Sequence, residues 1–446
     1  MRTTKISVAG TGYVGLCTAV GFASKGYKVI TATSSVEKAN LINNGLPPFH
    51  EPNLQQLLQE VVKDGLLNCV LDREKAVLNS DITFIAVGTP SQPDGTIDLQ
   101  HIENSAREIG EALGKKNTYH LVVVKSTVTP GTTENLVRPI LEKHSEGKCG
   151  VKFGLCMSPE FLREGSALKD TLQPDRIIIG EYDKKSGDLL EAFYREFHGA
   201  ETPPTVRTNL STAEIIKYAN NASLATKISL INTLANICER VLWADVVTVA
   251  KGIGLDKRIG PLFLQAGLGY GGSCFPKDLK ALIAFSKKVG YEPVLLEAAS
   301  RVNEQQIERA VEIVKSKLGD LQGKKVAVLG LSFKPDTDDM REARSVPFIN
   351  QMLCEGADVI AYDPVAIPNA KSVLGNKIQY AHSAIECVKA ADCCVLVTEW
   401  DEFKKLKPED FVQNMRQPIL IDGRRIYDPA EFGRKLKFAA IGLGQP

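Results

Sequence analysis

The chain has 446 residues, of which 43% are hydrophobic and 24% are charged, and its formal net charge is +1. This length exceeds a single hydrophobic core and predicts two or three domains, and the balanced charge gives no reason to expect nucleic acid or an anionic membrane as partner. The start MRTTKISVAG turns polar and glycine-rich too early for a signal peptide, and no apolar run has the length of a membrane span. We therefore expect a cytoplasmic protein.

The first stretch, KISVAGTGYVGLCTAVGFASKGYKVITA, predicts a strand, a glycine turn, a helix and a second strand. Further strand-like runs occur at DITFIAVGTP, HLVVVKST, VKFGLCMSP and DRIIIG, with helical stretches between most of them. Short apolar strands that alternate with helices are typical of a doubly wound parallel sheet covered on both faces. We assign residues 1–204 to such an α/β domain.

Gly10, Gly12 and Gly15 form GTGYVG between the first strand and the first helix. The first glycine permits a tight turn, the second lets a pyrophosphate approach the backbone, and the third lets the helix pack on the strand. The positive N-terminus of the helix then faces the phosphates. This context predicts a dinucleotide site rather than an ordinary tight turn.

The second strand ends in KVITATSS, which puts Thr33 where such sites usually carry an acid for the adenosine ribose. An acid at this position repels a 2′-phosphate, whereas Thr33, Ser34, Ser35 and Lys38 would not. Two interpretations stay open: NADP is accepted, or NAD binds with one weaker ribose contact. We expect NAD, with NADP possible.

From about residue 205 to 318 the pattern becomes helical, starting with NLSTAEIIKYANNASLATKISLINTLANICERVLWA. Ser211 and Glu214 have the spacing of a capping box at the start of a long helix. Lys217 and Asn221 lie four residues apart and so share one face of that helix. The pair could stabilise a developing oxyanion, or could simply belong to a solvated face.

The third section, residues 319–446, returns to strands and helices at VAVLG, ADVIAYDP, CCVLVTEW and PILIDGRR. This alternation of strands and helices predicts a second, smaller Rossmann-like α/β domain. Its first turn, GLSF, lacks the second and third glycines of a dinucleotide fingerprint, so we expect it to bind something other than the redox cofactor.

None of the ten cysteines forms a CxxC pair or has zinc spacing to one of the six histidines, so no metal site is predicted. Most should be small buried residues, but Cys274 lies among glycines and charges in GGSCFPKD. Lys277 would favour its thiolate, and one helical turn would bring the Asp278 carboxylate near it as base or water anchor. A dinucleotide site with a nucleophilic cysteine suggests oxidation of a primary alcohol to a carboxylate through a thioester.

Polar side chains also follow two predicted strands of the first domain, where ligands of such sheets bind. SPEFLREG supplies Glu160, Arg163 and Glu164, and VKSTVTPG supplies Lys125, Ser126 and Thr127. Together with GYGGSCFPKDLKAL, TAEIIKYANN, GIGLDKRIG and FKPDTDDMREA, these motifs make the chain resemble the UDP-glucose 6-dehydrogenases, within the wider family of nucleotide-sugar dehydrogenases. The resemblance runs nearly from end to end.

The resemblance implies oxidation of UDP-glucose to UDP-glucuronate with two NAD reduced, through a thiohemiacetal and a thioester on Cys274. It implies that Lys217 and Asn221 stabilise the oxyanion, that Thr127 and Asp278 position a water, and that Glu160 assists acid–base chemistry. It also implies a homodimer or higher homo-oligomer formed through the long helix from about Ser211.

Implied cofactor contacts come from the glycine turn, the strand ends and the later loops: Gly10, Gly12, Tyr13, Val14, Gly15, Thr33, Lys38, Gly88, Thr89, Pro90, Ser126, Thr127, Glu164, Lys277 and Arg341. Implied substrate contacts are Glu160, Phe161, Leu162, Arg163, Lys217, Asn221, Arg258, Phe263, Gly271, Phe333, Lys334 and Arg424. In this set Arg258 reaches over from a neighbouring subunit, Gly271 and Gly272 let the backbone approach the sugar, and Lys334 and Arg424 of a UDP-sugar-binding domain hold the diphosphate and uridine end.

Two departures from the family pattern are Thr33 and Arg344, which stands in REARS where REAPS is common; an extra cation near the cofactor phosphates is one conceivable role. A GDP-mannose or UDP-N-acetylhexosamine 6-dehydrogenase is the nearest alternative, because a shared fold cannot separate substrates. A two-electron dehydrogenase would need no cysteine, and a non-catalytic nucleotide-sugar sensor would not need Cys274, Lys217, Asn221 and Asp278 together.

Overall fold

The structure is a computed structural model and describes residues 2–444. Its strands are β1 (Lys5–Ala9), β2 (Lys28–Ala32), β3 (Leu67–Val70), β4 (Ile82–Ile85), β5 (His120–Val124), β6 (Phe153–Met157), β7 (Ile177–Glu181), β8 (Thr205–Asn209), β9 (Lys325–Leu329), β10 (Asp358–Tyr362), β11 (Gln379–Tyr380), β12 (Cys393–Leu396), β13 (Ile419–Asp422) and β14 (Lys437–Ala440).

The α-helices are α1 (Tyr13–Ser24), α2 (Val36–Asn43), α3 (Leu54–Lys63), α4 (Arg73–Leu78), α5 (Gln100–Gly114), α6 (Arg138–Ser145), α7 (Ala167–Leu172), α8 (Lys184–His198), α9 (Leu210–Cys238), α10 (Val246–Gly254), α11 (Phe275–Lys288), α12 (Val294–Leu318), α13 (Ser345–Cys354), α14 (Ile367–Leu374), α15 (Ala384–Val388), α16 (Pro408–Asn414) and α17 (Pro429–Phe432). A π-helical turn, Thr133–Val137, precedes α6, and 3₁₀ turns lie at Gly199–Glu201 and Phe403–Lys405.

The first sheet has eight strands in the order β3-β2-β1-β4-β5-β6-β7-β8. Strands β1 to β6 all run parallel to one another. Strand β7 is antiparallel to β6 and parallel to β8. The central strands β4, β5 and β6 are buried along their whole length because helices cover both faces. The predicted doubly wound domain is confirmed, and its topological switch point lies between β1 and β4.

The second sheet has six parallel strands in the order β11-β10-β9-β12-β13-β14. It repeats the order of the first six strands of the larger sheet, with its switch point between β9 and β12. Helices α9 to α12 lie between the two sheets in the chain, so the predicted helical middle section is also confirmed. Within residues 2–444, no helix combines the length and the apolar character needed to cross a bilayer.

Contacts divide the chain into two compact units, the first ending at Asn220 and the second beginning at Asn221. The long helix α9 contributes residues to both. The predicted domain boundaries at 204/205 and 318/319 are a finer division and stay predictions.

The predicted capping box at the start of the long helix is wrong. The helix begins at Leu210, and the side chain of Asn209 accepts a hydrogen bond from the N–H of Thr212 at 2.8 Å. An asparagine one position before the helix serves as a cap as well as a serine would. Ser211 therefore lies inside the helix, and Glu214 is free to bind elsewhere.

A buried histidine joins three strands of the first sheet. Lys116 donates to Nδ1 of His120 at 3.0 Å, so Nε2 carries the ring proton and donates to Thr83 Oγ1 at 2.7 Å. Thr83 Oγ1 lies 2.6 Å from Ser7 Oγ on β1. Burial, and next the charge of Lys116, lower the pKa of His120 to about 3.

This network predicts an acid-sensitive contribution to stability. Because the folded protein keeps His120 neutral while the unfolded chain takes up a proton below its ordinary pKa of 6.5, stability is lost as pH falls from 6.5 toward 3. Between pH 7 and pH 5 the free energy of unfolding should fall by about 2 kcal/mol more in the native protein than in a His120→Gln variant. Denaturant titrations measure this difference, and His101→Gln, at an exposed site, is the control. Parallel pH profiles for the native protein and His120→Gln would refute the assignment.

Candidate active site

The glycine turn after β1 has the geometry that its sequence predicts. Gly10 has φ +119°, and a Cβ there would lie 2.3 Å from the carbonyl oxygen of Ala86. A Cβ on Gly15 would lie 2.2 Å from the carbonyl oxygen of Gly10, which is the close helix–strand packing expected of the third glycine. Gly12 is different, because nothing lies within 4 Å of its Cβ position and no side chain caps α1. The turn therefore fits a dinucleotide pyrophosphate.

The turns after β4 and β5 border this glycine turn at the switch point. Thr89 Oγ1 donates to the carbonyl oxygen of Thr127 at 2.9 Å, and Ser126 Oγ donates to that of Val87 at 2.7 Å. Gly88 is exposed, with no atom within 4 Å of its Cβ position, and Pro90 is exposed as well. These predicted cofactor residues thus share one edge of the sheet.

Thr33 follows β2 directly, at the position predicted from the sequence. It is 8% exposed, and its hydroxyl accepts a hydrogen bond from the N–H of Ser35 at 3.3 Å. Ser35 in turn caps α2 by accepting from the N–H of Lys38, whose side chain is exposed. The ribose end of the predicted site is therefore lined by hydroxyls and one lysine.

Lys217 does not belong to a solvated face: it is 3% exposed, and its Nζ lies 2.9 Å from Glu160 Oε1. Glu160 Oε2 also accepts from the N–H of Leu162 at 2.5 Å. Burial acts to raise the pKa of Glu160, but Lys217 and this amide hydrogen bond outweigh it, and the pKa lies below its ordinary value. The structure thus joins an acid and a cation, 57 residues apart in sequence, into a buried ion pair.

The turn after β6 is further fixed by two arginines. Arg176 lies 3.8 Å from the ring centre of Phe161 and donates to Asn220 at 2.6 Å. Arg163 binds Asp170 through its side chain at 2.6 and 3.0 Å and through its backbone N–H at 2.9 Å. A cavity of about 70 Å³ lies beside this turn.

Two buried glutamates, Glu51 and Glu214, fix the neighbouring backbone, although the sequence motifs place neither of them in the site. Glu51 accepts from the N–H groups of Gly165 and Ala167 at 2.7 and 2.6 Å, and Glu214 accepts from those of Gly131 and Thr133 at 2.5 and 2.8 Å. Burial raises the pKa of Glu214 to about 7 in spite of these hydrogen bonds. The partners of Glu51 lie 114 and 116 residues away and those of Glu214 lie 83 and 81 residues away, so no local pattern could have shown these roles.

Glu164, a predicted cofactor residue, lies near the helix that follows the glycine turn. Burial, followed by the charges of Glu51 and Glu164, raises the pKa of Cys17 on α1. The other cofactor residues of this turn, Tyr13 and Val14, begin α1, and the Tyr13 ring packs on Phe49 at 4.0 Å.

In the second unit, Cys274 occupies the N-cap position of α11 and is partly exposed. Its Sγ lies 3.4 Å from Ser273 Oγ, and its carbonyl oxygen accepts from the N–H of Asp278 at 2.8 Å. A helix N-terminus carries the positive end of the helix dipole, so Cys274 lies where negative charge is stabilised.

Asp278 is 1% exposed, and partners hold both of its carboxylate oxygens. Asn221 donates to Oδ2 at 2.6 Å and Lys277 donates to Oδ1 at 2.6 Å. The predicted helical turn is confirmed, and Lys277, which was expected to favour the thiolate, also pairs with the aspartate. The structure therefore joins four predicted residues around the start of α11.

Packing inside the protein also requires Gly271 and Gly272, whose predicted role is to let a sugar approach the backbone. A Cβ on Gly271 would lie 2.3 Å from the carbonyl oxygen of Glu342, and one on Gly272, at φ +86°, would lie 2.6 Å from the ring of Phe333. The close contacts are therefore with the protein's own backbone and with a predicted substrate residue.

The second sheet carries an acid where the first has Thr33, since Asp363 follows β10 directly. Its Oδ2 accepts from the N–H groups of Leu331 and Ser332 at 2.8 and 3.0 Å and from Trp400 Nε1 at 3.1 Å. The carboxylate of Asp363 is thus occupied by hydrogen bonds to the turn that leads to Phe333 and Lys334. The turn therefore lacks the second and third glycines of a dinucleotide site, and its carboxylate is not available to bind a ribose.

The other predicted residues of this unit bind nearby groups. Arg258 is exposed and pairs with Asp256 at 2.6 Å, and Arg341 pairs with Asp339 at 2.7 Å. Phe263 has φ +64° and lies 6.2 Å from Phe275, measured between ring centres.

Arg344 is not an extra cation for a cofactor, because it is 3% exposed and its guanidinium binds backbone carbonyl oxygens of Leu268 and Asn303 at 3.2 and 2.9 Å. Arg424 behaves similarly and donates to the carbonyl oxygens of Val397 and Gly269 at 2.5 and 3.3 Å. Within residues 2–444, no group of three His, Cys, Asp or Glu side chains is arranged to hold a metal.

A doubly wound sheet with an uncapped glycine turn at its switch point is the fold of a dinucleotide-binding protein. Three consecutive parts of the chain match one family, described as the UDP-glucose/GDP-mannose dehydrogenase family: residues 4–198 match its NAD binding domain, 211–305 its central domain and 327–429 its UDP binding domain. The chain therefore belongs to the UDP-glucose/GDP-mannose dehydrogenase family.

Individual relatives and a solved structure support this family membership. The chain is 46% identical to the UDP-glucose 6-dehydrogenase AglM of Haloferax volcanii over 95% of its own length and 97% of that protein. It is 43% identical to the UDP-glucose 6-dehydrogenase TuaD of Bacillus subtilis over 96% and 90% of the two chains. Among solved structures, a UDP-glucose dehydrogenase from Pyrobaculum islandicum superposes with a TM-score of 0.92 at 38% identity, covering 99% and 98% of the two chains.

Proposed function

We propose that the protein oxidises UDP-glucose to UDP-glucuronate in two steps through a covalent intermediate on Cys274. The observation that supports this best is the placement of Cys274 at the N-terminus of α11, one helical turn before the buried Asp278. The glycine turn of Gly10, Gly12 and Gly15 would hold a nicotinamide dinucleotide, which would supply the oxidant; two molecules bound in turn would each take up one hydride. The family resemblance and the named relatives favour UDP-glucose as the sugar nucleotide.

The protein's own residues account for the remaining chemistry. The first oxidation turns the C6 alcohol into an aldehyde, and the Cys274 thiolate adds to the carbonyl carbon to give a thiohemiacetal. The second oxidation removes the C6 hydrogen as hydride and leaves a thioester. Water then breaks the C–S bond, which yields the carboxylate and returns the thiol.

Lys217 and Asn221 lie four residues apart on α9 and face the developing oxyanion in this proposal. Glu160 keeps Lys217 in place through the buried ion pair and takes part in proton transfer. Asp278, held by Asn221, and Thr127 position the hydrolytic water. Phe161, Leu162, Arg163, Arg258, Phe263, Gly271, Phe333, Lys334 and Arg424 remain the proposed substrate contacts.

In this proposal residues 1–204 bind the cofactor, residues 205–318 form the dimer and carry the nucleophile, and residues 319–446 bind the UDP-sugar. Several large apolar side chains of the central helices and their loops are exposed in the single chain, among them Leu230, Ile237, Leu242, Trp243, Leu255 and Leu262. Such a surface supports a homodimer. Light scattering during size-exclusion chromatography measures this, and a mass of one chain at micromolar concentration would refute it.

Sugar specificity is tested by offering the enzyme UDP-glucose, GDP-mannose, UDP-N-acetylglucosamine and UDP-N-acetylmannosamine with NAD and comparing kcat/KM. We expect UDP-glucose to lead by at least about 100-fold, because a site that hydrogen-bonds the correct hydroxyls is left with unpaired polar groups by a wrong sugar. A higher value for any other nucleotide sugar would replace UDP-glucose in the proposal.

Thr33 leads to a prediction about the cofactor. The native protein should use NAD and tolerate NADP, and a Thr33→Asp variant should lose about tenfold or more of kcat/KM for NADP while that for NAD changes little, because a carboxylate repels the 2′-phosphate. Thr33→Ser, which keeps the hydroxyl that accepts from Ser35, is the control. If the native protein shows no turnover with NADP, it does not accept this cofactor. If Thr33→Asp leaves the ratio of kcat/KM for NAD and NADP unchanged, Thr33 does not determine the cofactor preference.

A further inference from the structure

The stretch 266–272, which leads to Cys274, is buried although it forms neither helix nor strand. Irregular backbone usually lies at the surface, because its N–H and C=O groups need water when no regular ladder satisfies them. A buried loop must therefore obtain these hydrogen bonds from side chains.

In this loop four consecutive carbonyl oxygens accept hydrogen bonds from four different side chains. The pairs are Gly267 with Gln306 at 2.9 Å, Leu268 with Arg344 at 3.2 Å, Gly269 with Arg424 at 3.3 Å, and Tyr270 with Asn303 at 3.1 Å. We call Asn303, Gln306, Arg344 and Arg424 the loop clamp.

Three N–H groups of the loop, those of Gly267, Tyr270 and Gly272, also donate hydrogen bonds. Asn303 Oδ1 accepts from the N–H of Tyr270 at 2.8 Å, so this one amide side chain binds both backbone groups of the tyrosine. Asn232 on α9 accepts from the N–H of Gly267 at 2.8 Å. The N–H of Gly272 donates to the carbonyl oxygen of Arg341 at 3.0 Å.

The clamp is itself rigidly mounted. Asn303 and Gln306 lie on α12, where they are 2% and 0% exposed, and Arg344 directly precedes α13. Arg344 also donates to the carbonyl oxygen of Asn303, which links two members of the clamp. Two of the four clamp residues therefore lie on α12 and a third directly precedes α13, whereas Arg424 lies in the turn after β13.

The loop needs such support because of its glycines. Gly269 and Gly272 have φ of +96° and +86°, and glycine backbone has more alternative conformations than any other residue. Cys274 follows Gly272 by only two residues, so freedom in this backbone would move its sulfur.

We propose that the loop clamp positions the Cys274 thiol for attack, and that Asn303, Gln306 and Arg344 are positioning residues of the reaction. This inference rests on the proposed role of Cys274 as the nucleophile. Because a displacement of about 1 Å in a reacting group costs on the order of 100-fold in rate, the clamp acts on kcat and less on substrate affinity. The same role explains Arg344, which the sequence left without a function.

The test compares Gln306→Met with Gln305→Met, which changes the same side chain at the neighbouring, exposed position of α12. Arg344→Lys is the second variant, because lysine keeps the charge but cannot donate in the directions of both carbonyl oxygens. Two readouts are measured on the full-length enzyme: hydrogen exchange of the peptide covering residues 266–274, and kcat and KM for UDP-glucose.

For Gln306→Met we expect exchange in this peptide to become about tenfold faster and kcat to fall about tenfold, with KM changed less than about threefold. Arg344→Lys should show the same pattern, and Gln305→Met should match the native enzyme in every readout. If Gln306→Met does not fold, Arg344→Lys carries the comparison.

Faster exchange with an unchanged kcat would show that the clamp only stabilises the fold, and unchanged exchange would show that it does not hold the loop; either result overturns the proposal. A catalytically normal Cys274→Ser enzyme would instead defeat the proposed function. In that case the exchange data would still report whether the clamp holds the loop, so the two failures are distinguishable.

Discussion

Cys274→Ser is expected to lower turnover of UDP-glucose to the acid at least about 1000-fold while the variant still binds the sugar nucleotide. A serine hydroxyl is not ionised near neutral pH, so it cannot use the anion-stabilising position at the start of α11 as a thiolate does. Loss of a covalent nucleophile costs 10³-fold or more in enzymes where it has been measured, which sets the order of magnitude. Acid formation is followed by chromatography, and binding by titration calorimetry.

Cys354→Ser is the matched control, because Cys354 ends α13 and is exposed. It should leave both turnover and binding unchanged. If Cys274→Ser formed acid at a rate within about tenfold of the native rate, Cys274 would have no covalent role, since the loss would be far below that of a missing nucleophile.

Lys217→Met should reduce both turnover and stability. The variant leaves Glu160 buried without its cation, and breaking a buried ion pair from one side costs about 3–5 kcal/mol. Removal of one group that stabilises an oxyanion lowers kcat about 100- to 1000-fold. With Lys217 gone, burial is opposed only by the amide hydrogen bond from Leu162 and the charge of Lys125, so the pKa of Glu160 should rise.

A double variant separates the two effects. Glu160→Gln combined with Lys217→Met removes the unpaired charge, so the free energy of unfolding should recover while turnover stays low. Lys169→Met, at an exposed position of α7, is the control for loss of a lysine. Native turnover in a folded Lys217→Met variant would exclude the lysine from catalysis and leave it a structural role alone.

The sequence predicts the fold well where local pattern and tertiary structure demand the same residues. Gly10 and Gly15 are needed both for the turn and for its contacts with Ala86, and the apolar runs of β4 to β6 are buried along their whole length. Both sheets therefore follow from periodicity and turn chemistry.

The site was harder to predict where partners are distant in sequence. Burial statistics favour a solvated lysine, but Glu160 supplies the carboxylate that lets Lys217 be buried. The local sequence suggests that Glu214 caps a helix, but in the structure its carboxylate binds the backbone N–H groups of the loop at 131–133. Arg344 has no local signal, because its partners are distant in sequence: the carbonyl oxygens of Leu268 and Asn303 lie 76 and 41 residues away, and the carboxylate of Glu304 lies 40 residues away.

The four-electron stoichiometry tests the proposed function most directly. A limiting, measured amount of UDP-glucose is oxidised to completion with excess NAD, and reduced cofactor is counted by absorbance while the acid is quantified by chromatography. A thioester route through Cys274 predicts two reduced cofactors and one UDP-glucuronate per UDP-glucose, with no aldehyde released. One reduced cofactor per sugar, or an aldehyde as the final product, would contradict it.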